Sequence, residues 1–573
     1  GQPEEFTPQQ IAFVYGGDCE KDIKQLLEYN AFIIPLANGK LRCHHMLKQA
    51  TRHAFALLPE AEQRQAFCQF GKWYVQQEDY EEALDCLYRG RDFAGLLTAV
   101  QELCDWSMRA EHKAHLFDWL NDCPKDILCQ YPQAVLILMR RMFSLNMIKE
   151  MLQVKGWYIT ALEQNTHLTI EERNNYYGEL EIILSFLAFN SITRMSEHHR
   201  KAYRLLSCAP QTLSKQGVWS FGAPSLLGLY LRDSGALQQT LEDMYACMPP
   251  YYLLSNWHGA GAAELTEAEA LLLQGRIDEM DICLRKAGYL AQKHGQECIT
   301  LCCDFLAMQR DMLKGERTEQ IEKYRRHEGS AWQQSMLLNT ADMCVGFYYA
   351  LLGETQYLPQ WLTSMEFDEA VVLYPARPCR NFIAAQCLLA QQRYTELLVR
   401  YDDLLAECRP YNNFLCQLYL LVQKACAFAG LGAQSKAQTA LHKALAMAAP
   451  DRLVLPFAQN STLLEPLLQK ELAGEQRELV ERILALGEQL AAGRRKLCMT
   501  AAERSLLAEL SELELQIAQL AAARHTNKEI AAALNLREGT IKQYLNRIFL
   551  KLDIATEKKN KRHQLAKFFS QTN

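Results

Sequence analysis

"ACAFAGLGAQSKAQTALHKALAMA", residues 425–448, is two apolar helical runs joined by a short turn at Gly432. Ala425, Gly430, Ala437, Ala440 and Ala444 stand where two helices must approach closely, and small residues are what such an approach needs. The same pattern of run, turn and run is centred on Gly235, Gly275, Gly315, Gly353 and Gln392. From Gly235 to Gly432 the centres are 40, 40, 38, 39 and 40 residues apart. Stacked helical hairpins produce a fixed period of this length, because each pair buries its apolar face only against its neighbours.

These units resemble the tetratricopeptide pattern, slightly longer than its usual ~34 residues. "WYVQQEDYEEALDCLYRGRDF", residues 73–93, reads as a degenerate earlier unit, and no clear period shows from about Leu96 to Leu213. After the last unit, Pro450, Pro456 and Pro466 predict a connection over 449–468. A charge-mixed helical stretch to Leu490 follows, and "AAGRRKLCMT" (491–500) is the candidate hinge to a terminal domain.

At the other end, Phe32–Leu36, the Asn38-Gly39 pair and Leu41–His44 predict a tight β-hairpin. Helical patterns flank it at Asp18–Tyr29 and Met46–Leu57, and helices with one hairpin describe a winged helix. With little cationic excess there, it reads as a packing module. The predicted fold class is mainly α. A winged-helix-like segment spans 1–58, a helical region with degenerate repeats 59–213, and TPR-like repeats 214–450. A linker and helix occupy 451–500, and a helix-turn-helix domain 501–573.

Apolar residues make up 49% and charged residues 22% of the 573, as in ordinary globular chains. The longest apolar run, "IILSFLAF" (182–189), is far below the ~18 residues of a membrane span. "GQPEEF" at the start has the features of no signal peptide. The twenty cysteines follow no framework, and many read as small buried hydrophobes in a reducing cytoplasm. The net charge of −6 is uneven. Residues 524–573 hold eleven Lys/Arg against four Asp/Glu, which points to a polyanionic partner for that end alone.

That end contains "HTNKEIAAALNLREGTIKQYLNRIFLKL", residues 525–552. Thr526 and Glu529 form a capping box that starts a helix. Ile530, Ala531 and Leu534 give it one apolar face, and Asn535-Leu536 is a turn. In the second helix Ile541, Leu545, Ile548 and Leu552 form one buried stripe. Lys542, Gln543, Tyr544, Asn546 and Arg547 are then left outside, a set able to reach phosphates and base edges in a major groove. Leu510–Ala523 is a third amphipathic helix that can brace the pair.

Leu510-Ser511, Glu514, "NKEIAAAL", "GTIKQYL" and Lys551-Leu552 resemble the LuxR-type helix-turn-helix. Four positions depart from that pattern: Leu513 for the usual Arg, Tyr544 for a frequent His, Arg537 for a capping Ser or Thr, and Asp553 for Gly. "NAFIIPL", "GKLRCHHML", "FGAPSLLGLYLRDSGAL", "WHGAGAAELTEAEALLLQGRIDEMD" and "PDRLVLPFAQN" resemble the MalT-like branch of large regulators. That resemblance implies an NTPase module, a winged helix, an effector-sensing repeat region and a DNA-binding domain. No G-x-x-x-x-G-K-[ST] loop occurs in the chain, so ATP is expected only in a module preceding residue 1, and the chain reads as a piece of a longer regulator.

The expected partners are double-stranded DNA, bound as a dimer, and a small-molecule effector or protein, with no membrane and no cofactor in this chain. Thr526, Asn527, Lys528 and Lys551 are the candidate phosphate contacts, and Lys542, Tyr544 and Arg547, with Gln543 and Asn546, the candidate groove contacts. Lys558, Lys559, Lys561 and Arg562 add nonspecific attraction. Trp219, Phe221, Tyr251, Tyr252, Trp257 and His258 are the candidate effector pocket, weighed against plain packing between repeats. His294, Cys298 and Cys302 share a helical face but read as packing, as do Cys43-His44-His45, and no metal is expected. No catalytic motif is present, so no enzyme is expected. The alternative is a repeat scaffold whose terminal hairpin docks protein.

Overall fold

A computed structural model describes residues 5–16, 21, 24–25, 32–36, 40–103, 112, 114–213, 217–326, 335–367, 372–498, 510–552, 554 and 561–570. At the N-terminus β1 (Glu5–Phe6), β2 (Ile33–Pro35) and β3 (Leu41–Cys43) form an antiparallel sheet of order β1-β3-β2. Ile33 faces Cys43 and Pro35 faces Leu41, and the Leu36 N–H donates to the Lys40 carbonyl at 2.8 Å, closing the predicted hairpin. Its tip at 37–39 and most of the helix expected at 18–29 lie outside the described residues. Strand β1, too short to show a period in sequence, is held by Arg42, which pairs with Glu5 across the sheet at 2.5 Å. α1 (Pro8–Tyr15) and α2 (His45–Ala56) flank the sheet, and Ile11 and Leu47 pack on its small core of Ile33 and Leu41.

Helical hairpins follow. α3 (Glu60–Gln76) and α4 (Tyr80–Arg89) are the unit expected near Trp73, and α5 (Phe93–Glu102), α6 (Leu116–Asn121) and α7 (Lys125–Leu128) come next. The stretch without visible period folds as two further hairpins, α8 (Pro132–Ser144) with α9 (Ile148–Gln164) and α10 (Ile170–Ser185) with α11 (Ile192–Leu205).

The periodic region is helical on both sides of all six turn centres. α12 (Leu226–Tyr230) and α13 (Leu237–Ser255) flank Gly235, and α14 (Ala262–Leu273) and α15 (Ile277–His294) flank Gly275. α16 (Glu297–Lys314) and α17 (Glu319–Arg325) flank Gly315, and α18 (Ser335–Leu352) and α19 (Gln360–Ser364) flank Gly353. α20 (Arg377–Ala390) and α21 (Tyr394–Ala406) flank Gln392, and α22 (Phe414–Gly430) and α23 (Gln434–Ala448) flank Gly432. The six centres have φ between 58° and 80°, the left-handed conformation that ends a helix. In five of them the next N–H reaches back five residues: Arg276 to Leu271, Glu316 to Asp311, Glu354 to Tyr349, Arg393 to Leu388 and Ala433 to Phe428, all at 2.8–3.0 Å.

The first helices of these pairs, α14, α16, α18, α20 and α22, pack on one another in succession and are buried along most of their length. The stack then turns back on itself. α12 lies against α14, α20 and α22, and the Phe414 N–H donates to the Leu231 carbonyl at 3.0 Å. A buried carboxylate caps α12: Glu269 accepts from Ser225 Oγ at 2.5 Å and from the N–H groups of Leu226 and Leu227 at 2.9 and 2.8 Å. Burial raises the Glu269 pKa to about 7.

The proline-marked stretch is not a free connection. It folds as α24 (Leu455–Ala458) and α25 (Ser461–Glu471), and Leu453, Val454, Leu455 and Phe457 are buried. The Val454 N–H donates to the Leu273 carbonyl at 2.8 Å, and Asp451 accepts from the N–H groups of Gly235 and Leu237. This segment therefore seals the stack against its own beginning. α26 (Arg477–Cys498) runs through the expected hinge as helix and packs on α16. A Cβ at Gly493 would overlap the Met312 carbonyl oxygen, and half-buried Arg494 donates to the Gln459 carbonyl at 2.6 Å.

Two substitutions at the turns should act in opposite directions. At Gly275 an added Cβ lies 3.2 Å from Val454 Cγ2 in a left-handed backbone, so Gly275→Ala should cost about 1–2 kcal/mol. Gln392 is exposed and already left-handed, so Gln392→Gly should gain about 0.5 kcal/mol. Urea midpoints followed by far-UV circular dichroism measure both; equal effects of one sign would contradict this account of the turns.

Candidate nucleic-acid interface and effector pocket

The terminal domain is built from α27 (Glu512–Ala522), α28 (Asn527–Ala533), α29 (Glu538–Lys551) and α30 (Lys561–Ser570). Two capping boxes start the first two helices. Thr526 and Glu529 exchange bonds of 2.7 and 3.3 Å, as the sequence predicts, and Ser511 and Glu514 do the same at 2.8 and 3.3 Å. Ile517, Ala518, Ile530, Ala531, Ile541, Leu545, Ile548, Phe549, Leu552 and Leu565 form one core. The predicted stripe of α29 is thus buried. The last helix, absent from the sequence reading, adds Leu565 to that core, and its signal was this one leucine in a cationic setting.

With that face consumed, α29 shows solvent Lys542, Gln543, Asn546 and Arg547. Tyr544 is half-buried at the edge of the core, and the Arg547 guanidinium lies 5.4 Å from its ring centre. A flat ring beneath a planar cation restricts the Arg547 side chain while leaving it exposed. Lys528 is exposed at the start of α28.

Three expected contacts are already engaged. Lys551 donates to Glu514 Oε2 at 2.6 Å, and Glu514 is buried with its pKa lowered, chiefly by that bond. Lys551 is thereby a strut between α29 and α27, since removing it would strand a buried carboxylate. Asn527 Oδ1 accepts from Arg562, which also donates to the His525 carbonyl at 2.5 Å, so Arg562 ties α30 to the start of α28. Thr526 is occupied by its cap, and Lys561 sits 5.7 Å from the Phe549 ring. Lys558, Lys559 and Asp553 lie outside the described residues.

The six aromatic candidates divide. Trp219, Phe221, Tyr251 and His258 line a pocket of about 50 Å³. Tyr252 and Trp257 do not line it: they stack on each other at 5.4 Å, and the Trp257 ring lies 4.3 Å from His294, near the surface. Gly259 permits the pocket's packing, because a Cβ there would meet the Trp219 ring. The opposite wall holds Arg140, Ile182, Ser185 and His199, from the stretch where no period was visible. The sequence reading missed these because contacts across 40 to 120 residues leave no local pattern.

The pocket's polar groups form a closed set. His258 Nε2 donates to the Gly217 carbonyl at 2.9 Å, so Nδ1 accepts from the Tyr251 hydroxyl at 2.7 Å. His199 Nε2 donates to Ser185 Oγ at 3.1 Å, since that hydroxyl gives its own hydrogen to the Ile182 carbonyl. Burial lowers the pKa of His258 to about 4 and of His199 to about 3, which keeps both rings neutral at physiological pH. Cys298 and Cys302 are buried beside this region, and the described residues contain no group of three metal-ligating side chains. No described helix is long and apolar enough to cross a membrane.

A histidine whose folded pKa is depressed contributes stability that is lost as pH falls below its unfolded value of about 6.5. The wild-type chain loses the contribution of neutral His258 between about pH 6.5 and 4, and a His258→Gln chain has none to lose. The stability gap between the two should therefore narrow as pH falls from 7 to 5. Paired urea unfolding curves measure it; a constant gap would show that His258 does not stay neutral in the fold.

No curated protein matches the chain. Residues 508–560 match the family GerE: Bacterial regulatory proteins, luxR family, so the domain that carries the cationic α29 is a LuxR-type helix-turn-helix.

Proposed function

We propose that this protein is a transcription regulator whose helical-repeat region binds a small effector or partner and controls DNA binding by the C-terminal domain. The carrying observation is α29, whose apolar face is spent on the domain core while Lys542, Gln543, Asn546 and Arg547 share the opposite side. That division is what a recognition helix requires. The match over residues 508–560 supports it. In finer terms, we take the hairpin stack as TPR-like, the N-terminal sheet and its helices as a winged helix, and the whole as MalT-like. The pocket at Trp219, Phe221, Tyr251 and His258 is the effector site of this reading, supported by its apolar walls and its few fixed polar groups. The chain acts without a catalytic centre or cofactor of its own, in the cytoplasm, and binds DNA as a dimer.

DNA affinity of the full chain should fall with salt at a log–log slope of about −0.9 per phosphate neutralised. Arg547→Ala should weaken binding by about 1–3 kcal/mol at sites carrying one particular base and leave sites lacking it nearly unchanged. Uniform loss on every sequence would reassign Arg547 to phosphate. A Lys542→Ala, Arg547→Ala double variant that shifts duplex DNA as well as wild type would overturn the proposal in favour of protein docking.

A further inference from the structure

A second cavity lies where α7 and the start of α8 face α9. Its volume is about 200 Å³, against about 50 Å³ in the pocket described above. The floor is apolar and buried: Leu120, Leu128, Val135, Val154 and Leu162. Packed interiors leave few voids larger than one water, so a roomy apolar space that opens to solvent is a feature to be explained.

The rim has a different chemistry. Lys125 Nζ stands 3.9 Å from the centre of the Trp157 ring, and Trp157 is itself half-buried in the cavity wall against Phe117. Among the described residues Lys125 has no carboxylate partner, so its charge is fixed at the mouth by an aromatic face. Thr160 and Gln164, both exposed, continue the polar edge. Tyr158, another wall residue, is buried, and its hydroxyl has no hydrogen-bond partner in the structure.

An apolar floor and one ammonium positioned at the mouth together define a guest. We infer that this cavity is a binding site for an amphiphilic monocarboxylate, with its hydrocarbon or aromatic body on the floor and its carboxylate at Lys125. A neutral apolar guest would leave the cation without a counter-charge. A polyanion would find only one cation and would have to strip water from its remaining charges. The site is separate from the pocket at Trp219 and His258 and does not depend on the DNA-binding reading.

Isothermal titration calorimetry of the full chain with octanoate, 1-octanol and acetate tests this. Octanoate should bind more tightly than 1-octanol, and acetate, which lacks the apolar body, should give no signal. Lys125→Gln, at an exposed position, should weaken octanoate by about tenfold, the size of one charge-assisted contact, and leave 1-octanol unchanged. Ala161→Phe, at the half-buried rim, should abolish binding of both while the far-UV spectrum stays that of wild type. Octanoate that fails to bind, that binds Lys125→Gln as well as wild type, or that is indifferent to Ala161→Phe would overturn the assignment. DNA binding is not the readout, so none of these results bears on the C-terminal domain.

Discussion

A left-handed residue between two helices, with the following N–H bonded five residues back, is the constraint on which this protein depends. Without it each first helix would run on, and the second could not fold back to cover its apolar face. The bond satisfies a carbonyl that the helix end would otherwise leave open. Glycine takes this backbone at no steric cost, and Gly275, Gly315, Gly353 and Gly432 do so. Glu78, Asn146 and Gln392 take it too, at a cost that packing of the flanking helices offsets. The same device recurs at the far end of the chain. Arg524 precedes a bond from His525 to Leu520 of 3.1 Å, and Asn535 precedes one from Leu536 to Ala531 of 2.9 Å. In backbone terms the helix-turn-helix is one more hairpin of this chain. Its distinction lies in which side chains its second helix leaves outside.

That explains what the sequence could and could not disclose. Where the left-handed position is glycine, a period is visible, and the hairpins at Gly235 through Gly432 are legible. Where it is Asn146, the turn looks like helix surface and the period is lost from about Leu96 to Leu213, while the unit that turns at Glu78 shows only as a degenerate one. Prolines misled in the opposite sense. Pro450, Pro456 and Pro466 read as a connection, yet Pro450 and Pro456 stand in the first turns of short helices, where a missing N–H is no loss. Pro466 lies inside α25. The stretch is buried because its Leu453, Val454, Leu455 and Phe457 close the stack, a fact that needs the three-dimensional arrangement.

The cationic face was legible in outline and not in detail. Helical spacing alone separates the Ile541, Leu545, Ile548 stripe from Lys542, Gln543, Asn546 and Arg547, because the two sets differ by half a turn of helix. Spacing carries no information about partners from other helices. Lys551 looks like any other exposed cation until Glu514 is placed 2.6 Å away, and Asn527 looks free until Arg562 reaches it. Half of the aromatic pocket was hidden for the same reason: Trp219 and Tyr251 announce themselves as a local aromatic cluster, whereas Arg140 and His199 come from other hairpins.

α26 is the last described helix before the terminal domain. Its Gly493 admits the Met312 carbonyl so closely that no side chain fits, and Arg494 is anchored on the Gln459 carbonyl. The stack therefore dictates the position and direction of the chain at Cys498, the last described residue before the terminal domain. A ligand in the repeat region can influence DNA binding only through a difference in its affinity for two arrangements. Because α26 is wedged between α16 and the α24–α25 segment that closes the stack, any rearrangement that moves either one must move α26 as a rigid rod. The segment that the prolines made look like a passive connection thus packs directly on the last described helix before the terminal domain.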